Sequence, residues 1–123
     1  MAHTLKVMQQ FIHPIRMGLK TIEGRIHAGN PATFKVGDTI RFFCPPNEAD
    51  DVHCTIVKIE PFASFREMLE KTNFKHCIPS AHTLEEALAV YDSIPSYKER
   101  AKEHGVLAIH IKTQKMESLT CTQ

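Results

Sequence analysis

The sequence predicts an α+β domain, a small mixed or antiparallel β-barrel with flanking helices. Three observations predict it. Short stretches of period-two alternation stand near both ends and in the middle of the chain, the pattern of strands whose side chains point to opposite faces in turn. Between the last two of them lie three places where a Ser or Thr precedes a Glu by three residues, the reciprocal capping arrangement of a helix start. At 123 residues, with 42% hydrophobic and 24% charged side chains, the chain supports one modest core and one domain. That domain is expected over residues 1–112, with a frayed polar tail over 113–123.

Each element follows from its residues. His3 to Met8 alternates as a short strand. Gln9 to Met17 spaces Phe11, Ile12 and Ile15 on one helical face, with Pro14 keeping the helix short and Gly18 suited to end it. Lys20 to His27 reads as a strand, and Ala28-Gly29-Asn30-Pro31 as surface turn. Val36-Gly37-Asp38 forms a tight turn into the β-branched and aromatic strand Thr39 to Cys44, which Pro45 and Pro46 stop. An acidic loop, Asn47 to Asp51, leads to a strand over Val52 to Ile59, its hairpin partner.

The helix starts are Ser64 with Glu67, Thr83 with Glu86 and Ser96 with Glu99. The middle helix carries Leu84, Ala87, Leu88 and Tyr91 on one apolar face. The third ends at Gly105, and Val106 to Lys112 alternates as the closing strand.

Composition bounds the function. The formal net charge is +1, with the positive excess at the amino-terminal end, where Lys6, Arg16, Lys20, Arg25 and Lys35 face Glu23 alone. That suits a local phosphate-facing patch and falls short of an avid nucleic-acid binder. The widely spaced Cys44, Cys54, Cys77 and Cys121 read as reduced thiols of a cytoplasmic protein. The histidines fit no metal-ligand spacing, so neither metal nor other cofactor is expected. No apolar run is long enough to span a bilayer, and no membrane partner is expected.

The stretch Gly18-Leu19-Lys20-Thr21-Ile22-Glu23-Gly24-Arg25 concentrates the chemistry. On a strand, Thr21, Glu23 and Arg25 line one surface while Ile22, Gly24 and Ile26 face the other, and Lys20 at the junction can swing to the polar side. Lys20 is a candidate base if its pKa falls below the unperturbed value of about 10.4, and an electrostatic clamp if Glu23 holds it charged. Glu23 could activate water or accept a hydrogen bond from a cytosine amino group, and it could equally hold Arg25 in a fork-like ion pair. Arg25 is a candidate grip for phosphate. Tyr97, Phe42, Phe43, Phe62 and Phe65 are candidate stacking faces for a base.

Read together, Phe11-x-x-x-Ile15-x-x-Gly18-x-Lys20-Thr21-x-Glu23-x-Arg25, then Val36-Gly37-Asp38-x-Ile40-x-Phe42, then Phe62-x-Ser64-Phe65-x-Glu67-Met68-Leu69, and finally Glu99 with Gly105-Val106-x-Ala108-Ile109, resemble the ASCH domain family. The resemblance implies a PUA-like barrel, a cleft lined by the G-x-K-x-x-E-x-R residues, and RNA or a modified nucleoside as partner. Some members hydrolyse the acetyl amide of N4-acetylcytidine, and others are proposed RNA-binding proteins or ribonucleases. The amidohydrolases' catalytic lysine falls on Lys20, and their threonine falls on Glu23. An ionised carboxylate cannot replace a hydroxyl nucleophile. Their catalytic glutamate could correspond to Glu85, Glu86 or Glu99.

Two functions therefore follow. In an amidohydrolase, Lys20 polarises the acyl carbonyl and Glu23 activates water, with Lys20 and Glu23 catalytic and Thr21, Arg25 and Tyr97 binding the substrate or RNA. In a non-catalytic RNA-binding or protein-interaction module, the same side chains grip phosphate and base edge without turnover.

Overall fold

The computed structural model describes residues 1–114. Five strands form one curled sheet in the order β1 (Ala2–Lys6), β3 (Thr39–Cys44), β4 (Asn47–Phe62), β5 (Val106–Thr113) and β2 (Ile22–Ile26). β1 runs parallel to β3, and every other neighbouring pair is antiparallel. The sheet is a half-barrel whose outer strands are β1 and β2. Helices α1 (Gln9–Arg16), α2 (Phe65–Lys71), α3 (Phe74–Cys77), α4 (Leu84–Asp92) and α5 (Tyr97–His104) flank it.

The expected β3 has the observed limits. Its partner is longer than expected: β4 starts at Asn47, so the acidic stretch Asn47 to Asp51 is strand and not loop. The reason is charge neutralisation. The Arg41 Nε donates to Asp51 Oδ2 at 2.6 Å, and an Arg16 guanidinium nitrogen donates to Asp50 Oδ1 at 2.7 Å. With those carboxylates paired, a hairpin turn over Pro45 and Pro46 suffices.

β5 differs in another way. Val106, Leu107, Ala108 and Ile109 are all buried, because β5 lies between β4 and β2 and is covered on both faces. It extends to Thr113, whose hydroxyl donates to the Ile15 carbonyl at 2.6 Å and fastens α1 to the sheet. The polar tail therefore begins inside β5, and its remainder, 115–123, lies outside the described residues.

Two of the three expected helix caps form. The Ser64 and Thr83 hydroxyls accept from the amides of Glu67 and Glu86 at 3.0 and 3.1 Å. Each glutamate reaches one residue further back than the capping box prescribes, to the amides of Ala63 and His82. Ser96 makes no side-chain cap: its backbone is left-handed, at φ 67°, in place of the extended conformation that capping residues adopt. The short α3 has an asparagine cap, Asn73 accepting from the Lys75 amide at 2.9 Å, outside the Ser/Thr-to-Glu pattern.

β1 is pinned at its start. The His3 Nε2 lies 2.8 Å from Asp38 Oδ2, and its ring stacks on Phe34. The His3 bond, followed by the Lys35 amide, outweighs desolvation and brings the Asp38 carboxyl down to about 2.

Candidate functional site

The site begins at the end of α1. Gly18, at φ 76°, takes the left-handed conformation that glycine adopts without a Cβ clash. The Gly18 amide then donates to Ile15 and the Leu19 amide to Pro14, a Schellman ending that turns the chain back on itself. The reversal carries Lys20 inward. It is 2% exposed and precedes β2 by two residues, so the strand is shorter than the expected Lys20 to His27.

The Lys20 ammonium finds an acceptor for each of its three N–H groups. Nζ is 2.6 Å from the Cys77 carbonyl, 3.0 Å from the Ile22 carbonyl and 3.4 Å from Glu23 Oε1. The Phe11 ring lies 4.9 Å away as a cation–π partner. Cys77 ends α3, and the Thr21 amide donates to the neighbouring His76 carbonyl. Lys20 and Thr21 thus satisfy carbonyls at the end of that helix.

Glu23 and Arg25 point the same way from β2, as alternation requires. Glu23 is 6% exposed. Its Oε2 accepts from Arg25 Nε at 2.7 Å, and the Arg25 Nη2 donates to the Lys6 carbonyl at 2.6 Å. Arg25 therefore bridges the two outer strands of the half-barrel. Burial by itself would raise the Glu23 carboxyl, but the charges of Lys20 and then Arg25, with their hydrogen bonds, lower it below the ordinary value. Arg25 is raised: desolvation opposes its charge, and Glu23 beside it more than compensates.

These groups border a cavity of about 410 Å³. Lys20, Glu23, Arg25 and Tyr97 all line it, together with Lys6 and Tyr91. The Tyr97 phenol lies close to Arg25, and burial ahead of all else raises its pKa. Thr21 is half-buried and does not line the cavity; what it contributes is backbone, donating to His76 and accepting from Ile111. None of Phe42, Phe43, Phe62 and Phe65 lines it either. Phe42 and Phe65 are core, and Phe65 stacks on both Tyr91 and Tyr97 at centroid distances of 4.4 and 5.6 Å. Glu85 and Glu86 are spent on Arg66 and His82 at the surface, and Glu99, exposed on α5, is outside the cavity too.

Sequence reasoning missed Lys6 and Tyr91. Tyr91 carried only the signal of an apolar helix face. Lys6 carried only its share of the amino-terminal positive charge, since its place at the cavity follows from the parallel pairing of β1 with β3. Gly24 also belongs to the wall: a Cβ there would stand 2.9 Å from the Met68 methyl, 3.1 Å from the Tyr91 ring and 3.2 Å from the Phe65 ring. Among the described residues no cluster of His, Cys, Asp or Glu could hold a metal ion, and no helix is long and apolar enough to cross a membrane.

A curled five-stranded sheet with a charged triad set between α1, α3 and its open side defines an α+β cleft domain. The chain belongs to the ASCH domain family, whose model matches residues 5–115. Among solved structures it is similar to hypothetical protein PH0355, with 32% identity, a TM-score of 0.83, and 93% of this chain and 100% of that one covered. It is also similar to protein PF0455 from Pyrococcus furiosus, with 30% identity, a TM-score of 0.77, and 94% and 100% covered. An S128A mutant of ZmASCH from Zymomonas mobilis shares the fold at 12% identity and a TM-score of 0.56, over 89% of this chain and 66% of that one. No curated protein matches the chain.

Proposed function

We propose that the cavity binds an RNA base or modified nucleoside, with the Glu23 carboxylate accepting the exocyclic amino edge of a cytosine-type base. The observation that carries this is a buried carboxylate kept ionised by two cations inside a cavity large enough for a small ligand. A carboxylate offers about four lone-pair positions. Lys20 and Arg25 use one on each oxygen, so acceptor capacity remains for a cytosine amino group, a pairing carboxylates make well. Tyr97 supplies aromatic wall beside Arg25.

Hydrolysis of an acyl amide is the second reading, and the chemistry favours it less. A carboxylate whose pKa is lowered is a weaker general base at neutral pH. The Lys20 ammonium already spends its three donors on two carbonyls and Glu23, which leaves none for polarising an acyl oxygen. Neither Thr21 nor any Ser or Thr among the described residues lines the cavity.

Calorimetric titration with cytidine, N4-acetylcytidine, uridine and a short cytosine-containing single-stranded RNA tests the proposal. Cytosine compounds should bind at least about tenfold tighter than uridine, the discrimination expected of one good base-edge contact. Absence of binding by all four would overturn it. Conversion of N4-acetylcytidine to cytidine, followed by chromatography, would establish the hydrolase instead.

A further inference from the structure

We infer that the ligand is anionic, and that Lys6 and the free N–H groups of Arg25 grip a phosphate beside the bound base, so that a nucleotide or a phosphodiester strand is held in preference to a free nucleoside. This rests on the base-binding reading above and adds a charge requirement to it. The first argument is the charge of the wall. Lys6, Lys20 and Arg25 line the cavity against Glu23 alone, leaving two positive charges in excess. Glu23 is shared between Lys20 and Arg25, and Lys6 makes no ion pair among the described residues. Uncompensated cations beside an apolar cavity attract an anion more strongly than they would in open water.

The second argument is donor geometry. Arg25 carries five N–H groups, of which one goes to Glu23 and one to the Lys6 carbonyl. Three remain. The guanidinium side chain keeps 18% of its surface, so its outer edge reaches solvent, whereas Lys20 is sealed. The bond from Arg25 to the Lys6 backbone brings the two cationic residues together at one lip of the cavity. Arg100 acts electrostatically on the Tyr97 phenol from α5, adding a third cation on that side, also without an ion pair among the described residues. A planar fork next to a flexible ammonium is the pairing that recognises phosphate oxygens.

The test compares cytidine, cytidine 5′- and 3′-monophosphate, uridine 5′-monophosphate, inorganic phosphate and a short single-stranded RNA by calorimetry at two salt concentrations. In low salt a monophosphate should bind at least about tenfold tighter than cytidine, and the advantage should shrink as salt rises. In Lys6→Ala, whose exposed side chain makes no hydrogen bond among the described residues, the nucleotide-to-nucleoside affinity ratio should fall toward unity, and Lys6→Arg should restore it. An RNA that binds tighter than either monophosphate, with a steeper salt dependence, identifies a strand as the ligand, and equal affinities identify a mononucleotide; both support the grip. Cytidine and its monophosphates binding equally, or a ratio unmoved by Lys6→Ala, would overturn the phosphate grip and leave the base reading standing. Monophosphates of cytidine and uridine binding alike, with inorganic phosphate competing, would do the reverse. Absence of binding by every probe overturns both.

Discussion

Glu23 is the residue at which charge, burial and pH meet. Its folded-state pKa lies below the ordinary carboxyl value of 4.5, so the ionised form stabilises the protein above that range, and this contribution is lost as pH falls through the folded value. Thermal melting across pH 2 to 7 should therefore show a steep acid limb that is flatter in Glu23→Gln. Lys20 is equally committed to the fold. Removing one partner of a buried, hydrogen-bonded pair costs about 3 to 5 kcal/mol, so Lys20→Met should lower the urea-denaturation stability by that order. Arg16→Ala, which breaks a half-exposed pair with Asp50, should cost less than about 1 kcal/mol. The pairing of Glu23 with Arg25 was legible in the sequence, because alternation alone places them on one face, whereas the same alternation wrongly put the Thr21 side chain beside them. The burial of Lys20 was not legible, since it depends on the Cys77 carbonyl, 57 residues away along the chain.

At the scale of elements, the caps divide sharply. Ser64→Ala removes a hydroxyl that accepts an orphan amide and should cost about 1 kcal/mol. Ser96→Gly should be neutral or stabilising by up to about 1 kcal/mol, because glycine adopts the left-handed backbone there without strain and no cap is lost. Local sequence carries the same Ser-to-Glu spacing at both places; the chain's path into α5 decides which one caps. Gly24→Ala probes the contact of β2 with α2 and α4. The added methyl meets three side chains at once, and overpacking of this kind costs about 1 to 3 kcal/mol, measurable by denaturation. The strand pattern of Lys20 to His27 placed Gly24 opposite Glu23 but gave no reason for a glycine. That reason is the closeness of Phe65, Met68 and Tyr91, from helices far along the chain.

For the whole molecule, the element order was readable from alternation, caps and turns, and the sheet order was not. Parallel pairing of β1 with β3, and insertion of β5 between β4 and β2, are long-range choices. They decide which residues share the cavity, which is why Lys6 was read only as one surface cation among several while Glu23 and Arg25 were placed together. The bridge from Arg25 to the Lys6 carbonyl has a consequence for how the protein behaves among its own copies. β1 and β2 are the two free margins of the sheet, and an open carbonyl on such a margin is a template on which a strand of another molecule can zip. Arg25 occupies that acceptor. Arg25→Ala should accordingly raise light scattering on mild heating, as expected if this cavity-lining side chain also keeps the sheet from growing into its neighbours.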